Sequence, residues 1–252
     1  MGARGQIAEV FRSWQGEGLL LGRRMVFVRL AGCAVDCRYC DTAWAFDAPA
    51  SVAVPGRAGE RVHNPLDVDA VLALVDAADP VRATGAATGA PAPVSLTGGE
   101  PLEQPDFARA LLEALAPRGV MLETSGLHAA AFAECAPLAA WVACDLKLPS
   151  STGQPDVLER FDALAATGAL EHPGLFFKLV VDGDSTAAEL AQAAARVAAR
   201  APRAPVFLQP VTPLGGSPPL APARLDELAA PLLAAGLDLR VVPQVHKLLR
   251  VR

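Results

Sequence analysis

The stretch "GCAVDCRYCDTAW" (residues 32–44) places three of the chain's five cysteines within eight positions and follows them with Asp41, Thr42 and Trp44. Cys33, Cys37 and Cys40 have the spacing C-x3-C-x2-C. The N-terminal "MGARGQIAEVFRSWQGEG" has no apolar signal core and no membrane-length run, so a cytoplasmic location with reduced thiols is expected. In that setting clustered thiols read as metal or redox chemistry, not as a disulfide framework. Two chemistries suit the spacing. A structural zinc ion takes four ligands, and the fourth would come from Cys135, Cys144 or a histidine. A cubane iron–sulfur cluster has four irons, so three thiolates leave one iron open to another molecule. Cys135 falls in a helical segment and Cys144 inside an apolar strand-like run, where both are expected as small buried thiols.

Other chemistry-bearing residues recur at one kind of place. Short β-rich runs, "MVFVRL", "PVSLT", "VMLET", "WVACDL", "LFFKLVV", "VFLQP" and "LDLRVVP", each run into polar residues. In chain order these ends are the cysteine loop, Thr97 to Glu100, Glu123 to Ser125, Asp145 to Lys147, Asp182, Gln209, and Gln244 to His246. Between the runs, "DFARALLEALA", "VLERFDALAAT", "AAELAQAAARVAAR" and "PARLDELAAPLLAA" have helical spacing. Such βα alternation makes a parallel sheet or barrel, and in a barrel every strand end of that kind faces one mouth. Six or seven units are too few for eight closed strands. The expected fold is therefore α/β: a partial, modified TIM-like (βα) barrel of about six to seven parallel strands.

At 252 residues and 52% hydrophobic content the chain can bury one large core, and a single domain over 1–252 is the economical organisation. The Ala-, Gly- and Pro-rich stretch at about 47–93 reads as an insertion of surface loops around a short helix near Val68 to Ala78. A formal charge of −5 and a pI near 5.4 provide no basic field for a phosphate backbone. Nucleic acid and membrane are therefore not expected as partners, and a small polar substrate is.

The cysteine spacing, with Tyr39 directly before the last cysteine, resembles the signature of the radical S-adenosylmethionine (SAM) superfamily, and "LTGGEP" resembles its glycine-rich motif. "WQGEG", "FVRLAGC", "CDTAW", "ETSG", "DLKLPSS", "LQPV" and "VVPQVHKLL" extend the likeness along the chain to one family, 7-carboxy-7-deazaguanine synthase. The resemblance implies a carbon–nitrogen lyase that converts 6-carboxy-5,6,7,8-tetrahydropterin to 7-carboxy-7-deazaguanine with loss of ammonia, toward queuosine-type nucleosides. It implies one [4Fe–4S] cluster on Cys33, Cys37 and Cys40, SAM on the open iron and Mg2+ on Thr42. Substrate contacts carried over are Trp14, Gln15, Gly16, Glu17, Arg29, Thr97 and the terminal carboxylate of Arg252. SAM contacts carried over are Tyr39, Asp41, Gly99, Ser125, Asp145, Leu146, Lys147, Gln209, Pro210, Val211, Thr212 and His246. Many relatives have Ser-Pro-Lys where this chain has Asp145-Leu146-Lys147, so Asp145 departs from the pattern. The implied partners are a flavodoxin- or ferredoxin-type reductant and a second copy of the chain in a homodimer. Other readings are a different radical SAM enzyme such as a glycyl-radical activase, a non-catalytic zinc-binding module and a simple electron carrier.

Overall fold

The computed structural model describes residues 2–79, 90–212 and 219–251. Arg252, and with it the expected carboxylate contact, lies outside these residues, as does 80–89 of the expected insertion.

Twelve strands are described: β1 Arg4–Gly5, β2 Ile7–Trp14, β3 Arg24–Leu30, β4 Ser51–Ala53, β5 Arg61–His63, β6 Leu66–Asp67, β7 Val94–Gly98, β8 Val120–Thr124, β9 Trp141–Asp145, β10 Leu175–Val181, β11 Val206–Pro210 and β12 Leu239–Val241. The helices are α1 Val68–Ala78, α2 Pro105–Leu115, α3 Ala129–Cys135, α4 Pro149–Thr152, α5 Val157–Ala165, α6 Ala187–Arg200, α7 Pro222–Ala234 and α8 Val245–Leu249. One eight-stranded sheet runs β12-β11-β10-β9-β8-β7-β3-β2. All neighbours in it pair in parallel except β2, which lies antiparallel on β3. The seven parallel strands are those the apolar runs predict.

β10 explains why the strands hold two environments. Alternate side chains of a strand point to opposite faces. Phe177, Leu179 and Val181 join the large core packed under the helices, whereas Phe176 belongs to a second, smaller core with Phe11, Phe27 and Phe207. Lys178 and Val180, on that inner side, line a cavity. Helices α2, α5 and α6 bury one apolar stripe each, such as Phe107, Leu111 and Leu115 of α2, and so cover the outer face. α6 starts at a reciprocal cap in which Thr186 accepts from the Glu189 amide while Glu189 accepts from the Thr186 amide.

Two segments correct the sequence reading. β2 was not among the expected strands, and it forms the antiparallel edge of the sheet. The stretch read as surface loops before α1 contains the β4–β5 hairpin, with Val52 buried on β2's side of the molecule. Asn64 ties this insertion to the sheet by accepting from the Ile7 amide and donating to the Ile7 and Pro49 carbonyls. α1 spans Val68–Ala78, as the spacing predicts, and is capped by the Asp67 side chain.

Candidate active site

The C-terminal ends of the parallel strands surround a cavity of about 570 Å³. Cys33, Cys37 and Cys40 all line it and are partly exposed. Burial pushes the Cys33 and Cys37 thiols above their ordinary range, and at Cys37 the nearby Lys147 works in the opposite direction. Cys135 and Cys144 are both buried in the large core, as expected, and take no part in the cavity. Among the described residues no three His, Cys, Asp or Glu side chains converge on a point suited to one metal ion. The donor set suits a cluster, which takes one thiolate at each of several irons, better than a lone zinc.

The loop that carries these cysteines is shaped by glycine. Gly32 has φ +97, and a Cβ on Gly99 would stand 1.8 Å from the Gly32 carbonyl oxygen. The Glu100 amide donates to that same carbonyl at 2.7 Å. Thus Gly99 is demanded by the approach of two protein backbones, a reason additional to any ligand. Glu100, to which the sequence reading gives no role, is 1% exposed and accepts from Thr124 Oγ1, the Ser125 amide, Ser125 Oγ and the Leu102 amide. Ser125 donates its hydroxyl to Glu100, keeps acceptor capacity and lines the cavity; the N-cap of α3 is His128.

On β3, paired with β7 at Thr97, the Arg29 side chain is 14% exposed. Its Nε donates to Glu9 on β2 at 3.1 Å and a terminal nitrogen donates to the Gly98 carbonyl. Phe11 and Phe27 stack beside it, centroids 5.0 Å apart, and the guanidinium stands over the Phe11 ring. Thr97, Trp14, Gln15, Gly16 and Glu17 line the same cavity. Gln15 donates to Glu123, and the Glu17 amide donates back to Gln15.

A charged floor joins these residues. Lys178 Nζ is 2.8 Å from Glu17, 3.1 Å from Asp145 and 3.6 Å from Glu123, and Lys147 is 3.0 Å from Asp145. Burial raises the Glu17 and Asp145 carboxyls, but the two ammonium groups outweigh it, Lys178 at Glu17 and both lysines at Asp145, and hold them below their ordinary values. The lysines are held well above theirs by the same carboxylates against the cost of burial. Lys147 also stands over the Tyr39 ring, whose hydroxyl burial pushes up to about 12.

The C-terminal segment closes one side. The Val245 amide donates to the Gly16 carbonyl, Gln244 donates to Glu17, and His246 packs where a Cβ on Gly16 would sit. Lys247 reaches Asp41, and Val251 lines the cavity. Asp41 thus faces the tail, while Thr42 presents its hydroxyl near Cys40 Sγ at 3.7 Å.

Not all expected residues meet here. Leu146 is 5% exposed within the large core and lies outside the cavity lining, its amide donating to the Lys178 carbonyl. Pro210, Val211 and Thr212 lie outside the cavity lining, with the Thr212 amide held by Gln244. Gln209 does line the cavity, 1% exposed, with Oε1 buried and lacking a hydrogen-bond partner among the described residues. Asp182 holds its own turn through Ser185 and Asp184. Lys178, Glu9 and Lys247 were not singled out from sequence. The one signal for Lys178 was a lysine in the middle of an otherwise apolar run.

No protein-family model matches the chain. Among curated proteins, 7-carboxy-7-deazaguanine synthase of Geobacter sulfurreducens is 34% identical over 96% of each chain. The enzyme of that name from Methanopyrus kandleri is 36% identical over 96% of this chain and 92% of its own. The chain belongs to the 7-carboxy-7-deazaguanine synthase family. Among solved structures, QueE of Escherichia coli superposes with TM-score 0.60 at 21% identity, covering 94% of this chain and 93% of that one. A radical SAM methyltransferase of Sphaerobacter thermophilus gives 0.57 at 18% identity, over 88% of this chain and 70% of its own. The fold of this family member is thus the TIM-barrel-like α/β architecture of these two structures, a partial (βα) barrel as its strands predict.

Proposed function

We propose that the chain converts 6-carboxy-5,6,7,8-tetrahydropterin to 7-carboxy-7-deazaguanine with release of ammonia. The observation that carries the reading is one cavity walled by three cysteines, an arginine fork and a buried carboxylate. Cys33, Cys37 and Cys40 would hold the [4Fe–4S] cluster. SAM would lie between that cluster and Gln209, whose orphaned Oε1 calls for a donor, with Tyr39, Lys147 and Asp145 alongside. When bound, cluster and SAM supply a 5′-deoxyadenosyl radical able to take hydrogen from C6 of the pterin.

The protein's own share is positioning. Arg29 offers planar donors to the substrate carboxylate beyond those given to Glu9 and Gly98. Thr42 would add its hydroxyl to a Mg2+ ion shared with that carboxylate, since magnesium keeps waters and accepts a sparse protein site. Gln15 and Glu17 would meet the amide and guanidine-like edge, with Trp14, Gly16 and Thr97 completing the wall. Phe11 and Phe27 exclude water beside the ring, so a radical formed there meets few competing partners. Fixing the hydrogen toward the attacking carbon is a matter of proximity, and no side chain is needed as an essential base.

A flavodoxin- or ferredoxin-type protein is the proposed electron donor, a homodimer the proposed assembly and the cytoplasm the proposed site of action. Among the described residues no helix is long and apolar enough to cross a membrane. The chain is proposed to act as one domain throughout its length. The test is anaerobic: reconstituted protein, SAM, Mg2+, a strong reductant and the pterin, with product read by mass spectrometry. 7-Carboxy-7-deazaguanine in excess of SAM consumed supports the reading. SAM cleavage with the pterin intact would overturn the substrate and leave the chemistry of the cluster.

A further inference from the structure

Lys178 is the one charged residue of β10, it is 4% exposed, and its ammonium meets carboxylates from three separate places in the chain. Burying an ion pair is a poor way to stabilise a fold, because desolvation cancels most of the attraction. Asp145, Glu123 and Glu17 differ in what else they do. Asp145 is paired with Lys147. Glu123 is hydrogen-bonded by Ser95 and Gln15. Glu17 sits on the loop after β2, takes one hydrogen bond from Gln244 and its shortest one, 2.8 Å, from Lys178. A carboxylate has about four lone-pair sites, so acceptor capacity is left for the cavity that Glu17 lines.

We propose that Lys178 is a positioning residue that holds the Glu17 carboxylate, anionic and fixed in aim, as the acceptor for a heterocycle presenting two adjacent N–H donors. This rests on the function proposed above, where such an edge belongs to the pterin. The groups facing Glu17 decide the sign of the effect. Lys178 comes from β10, Glu123 from β8, Asp145 from β9, and Gln244 and His246 from the C-terminal segment. Burial and Asp145 oppose ionisation of Glu17, while Lys178, the nearest cation, and after it His246 favour it. Without the ammonium, Glu17 takes up a proton at a higher pH and loses acceptor strength toward a donor edge.

The test compares reconstituted wild type, Lys178→Met and the double variant Lys178→Met/Glu17→Gln from about pH 6 to about pH 9. Lys178→Met keeps length and removes charge. Its KM for the pterin is expected to exceed the wild-type value about tenfold at the acid end and to approach it at the alkaline end. In the double variant the excess is expected to be the same at every pH. Infrared difference spectra, which need no substrate, are expected to show a protonated carboxyl in Lys178→Met that is missing from the double variant. A KM excess independent of pH in Lys178→Met, or no such carboxyl band, overturns the proposal in favour of a purely structural lysine. If the band is present but no protein turns over the pterin, Lys178 does hold Glu17 and it is the substrate reading that fails. Should Lys178→Met not fold, the neutral, hydrogen-bonding Lys178→Gln is measured in the same way: a KM excess at the acid end together with a carboxyl band lost on adding Glu17→Gln supports the proposal, and the absence of either overturns it.

Discussion

Lys247 Nζ lies 2.9 Å from Asp41 Oδ2, so α8, near the C-terminus, is pinned to the residue that directly follows the third cysteine. Burial raises the Asp41 carboxyl, yet hydrogen bonds and charge from His246 and Lys247 hold it well below the usual carboxylate range. A depressed carboxyl contributes its attraction fully above its ordinary pKa, near 4, and loses it as pH falls through the lower folded value. The pinning is therefore complete at neutral pH. Lys247→Met is expected to speed amide hydrogen exchange in residues 245–249 and to raise KM for the pterin several-fold. Its melting temperature should change little, since a partly exposed pair is worth about 1 kcal/mol or less.

Substituting any of Cys33, Cys37 or Cys40 by Ala is expected to abolish the brown colour of the anaerobically reconstituted protein and its SAM cleavage. Cys135→Ala and Cys144→Ala remove thiols buried in the large core and are expected to keep the iron content of the wild type. Iron analysis per chain decides. Retention of a full cluster by Cys37→Ala would exclude the assigned ligand set.

Gly99→Ala would drive a methyl group into the Gly32 carbonyl, and backbone cannot swing aside as a flexible side chain does. A loss of about 2 kcal/mol or more is expected in denaturant unfolding, with poor cluster loading. Gly183→Ala meets nothing within 4 Å and serves as the neutral control. Equal stability of the two variants would mean that the cysteine loop does not depend on this contact.

Thr42 gives the proposed magnesium site its single protein oxygen, so Thr42→Ala is expected to raise the Mg2+ concentration for half-maximal activity about tenfold. Thr42→Ser keeps a hydroxyl and should stay close to wild type. An unchanged Mg2+ titration in the alanine variant would remove Thr42 from the metal site.

Gln15, Glu17 and Thr42 were reached through the family resemblance, whereas other site residues were legible because each stands where a short apolar run ends. That is why Thr97, Asp145 and Gln209 could be placed at a common mouth without coordinates. β2 escaped notice because "IAEVFRSW" places Glu9 and Arg12 among its apolar residues, and half of an edge strand faces water or a charged partner. Lys178 was visible only as an oddity within "LFFKLVV". Its three carboxylates come from separate stretches of sequence, and only the sheet register unites them. Asp41, a SAM contact by resemblance, lines the cavity and also meets His246 and Lys247 from the far end of the sequence, partners that its motif does not reveal.

β2 and β12 are the two margins of the sheet, and the span between them is bridged by the C-terminal segment through Val245 to Gly16 and Gln244 to Glu17. A fully closed barrel has to unzip a strand ladder to admit a bulky molecule from the side. Here the margins are joined by the five-residue α8, through single backbone and side-chain hydrogen bonds and the contacts of His246 and Lys247 with Glu17 and Asp41. The two halves of the chamber wall are thus held by different means: continuous backbone ladders between the strands, and a handful of separate contacts from the C-terminal segment.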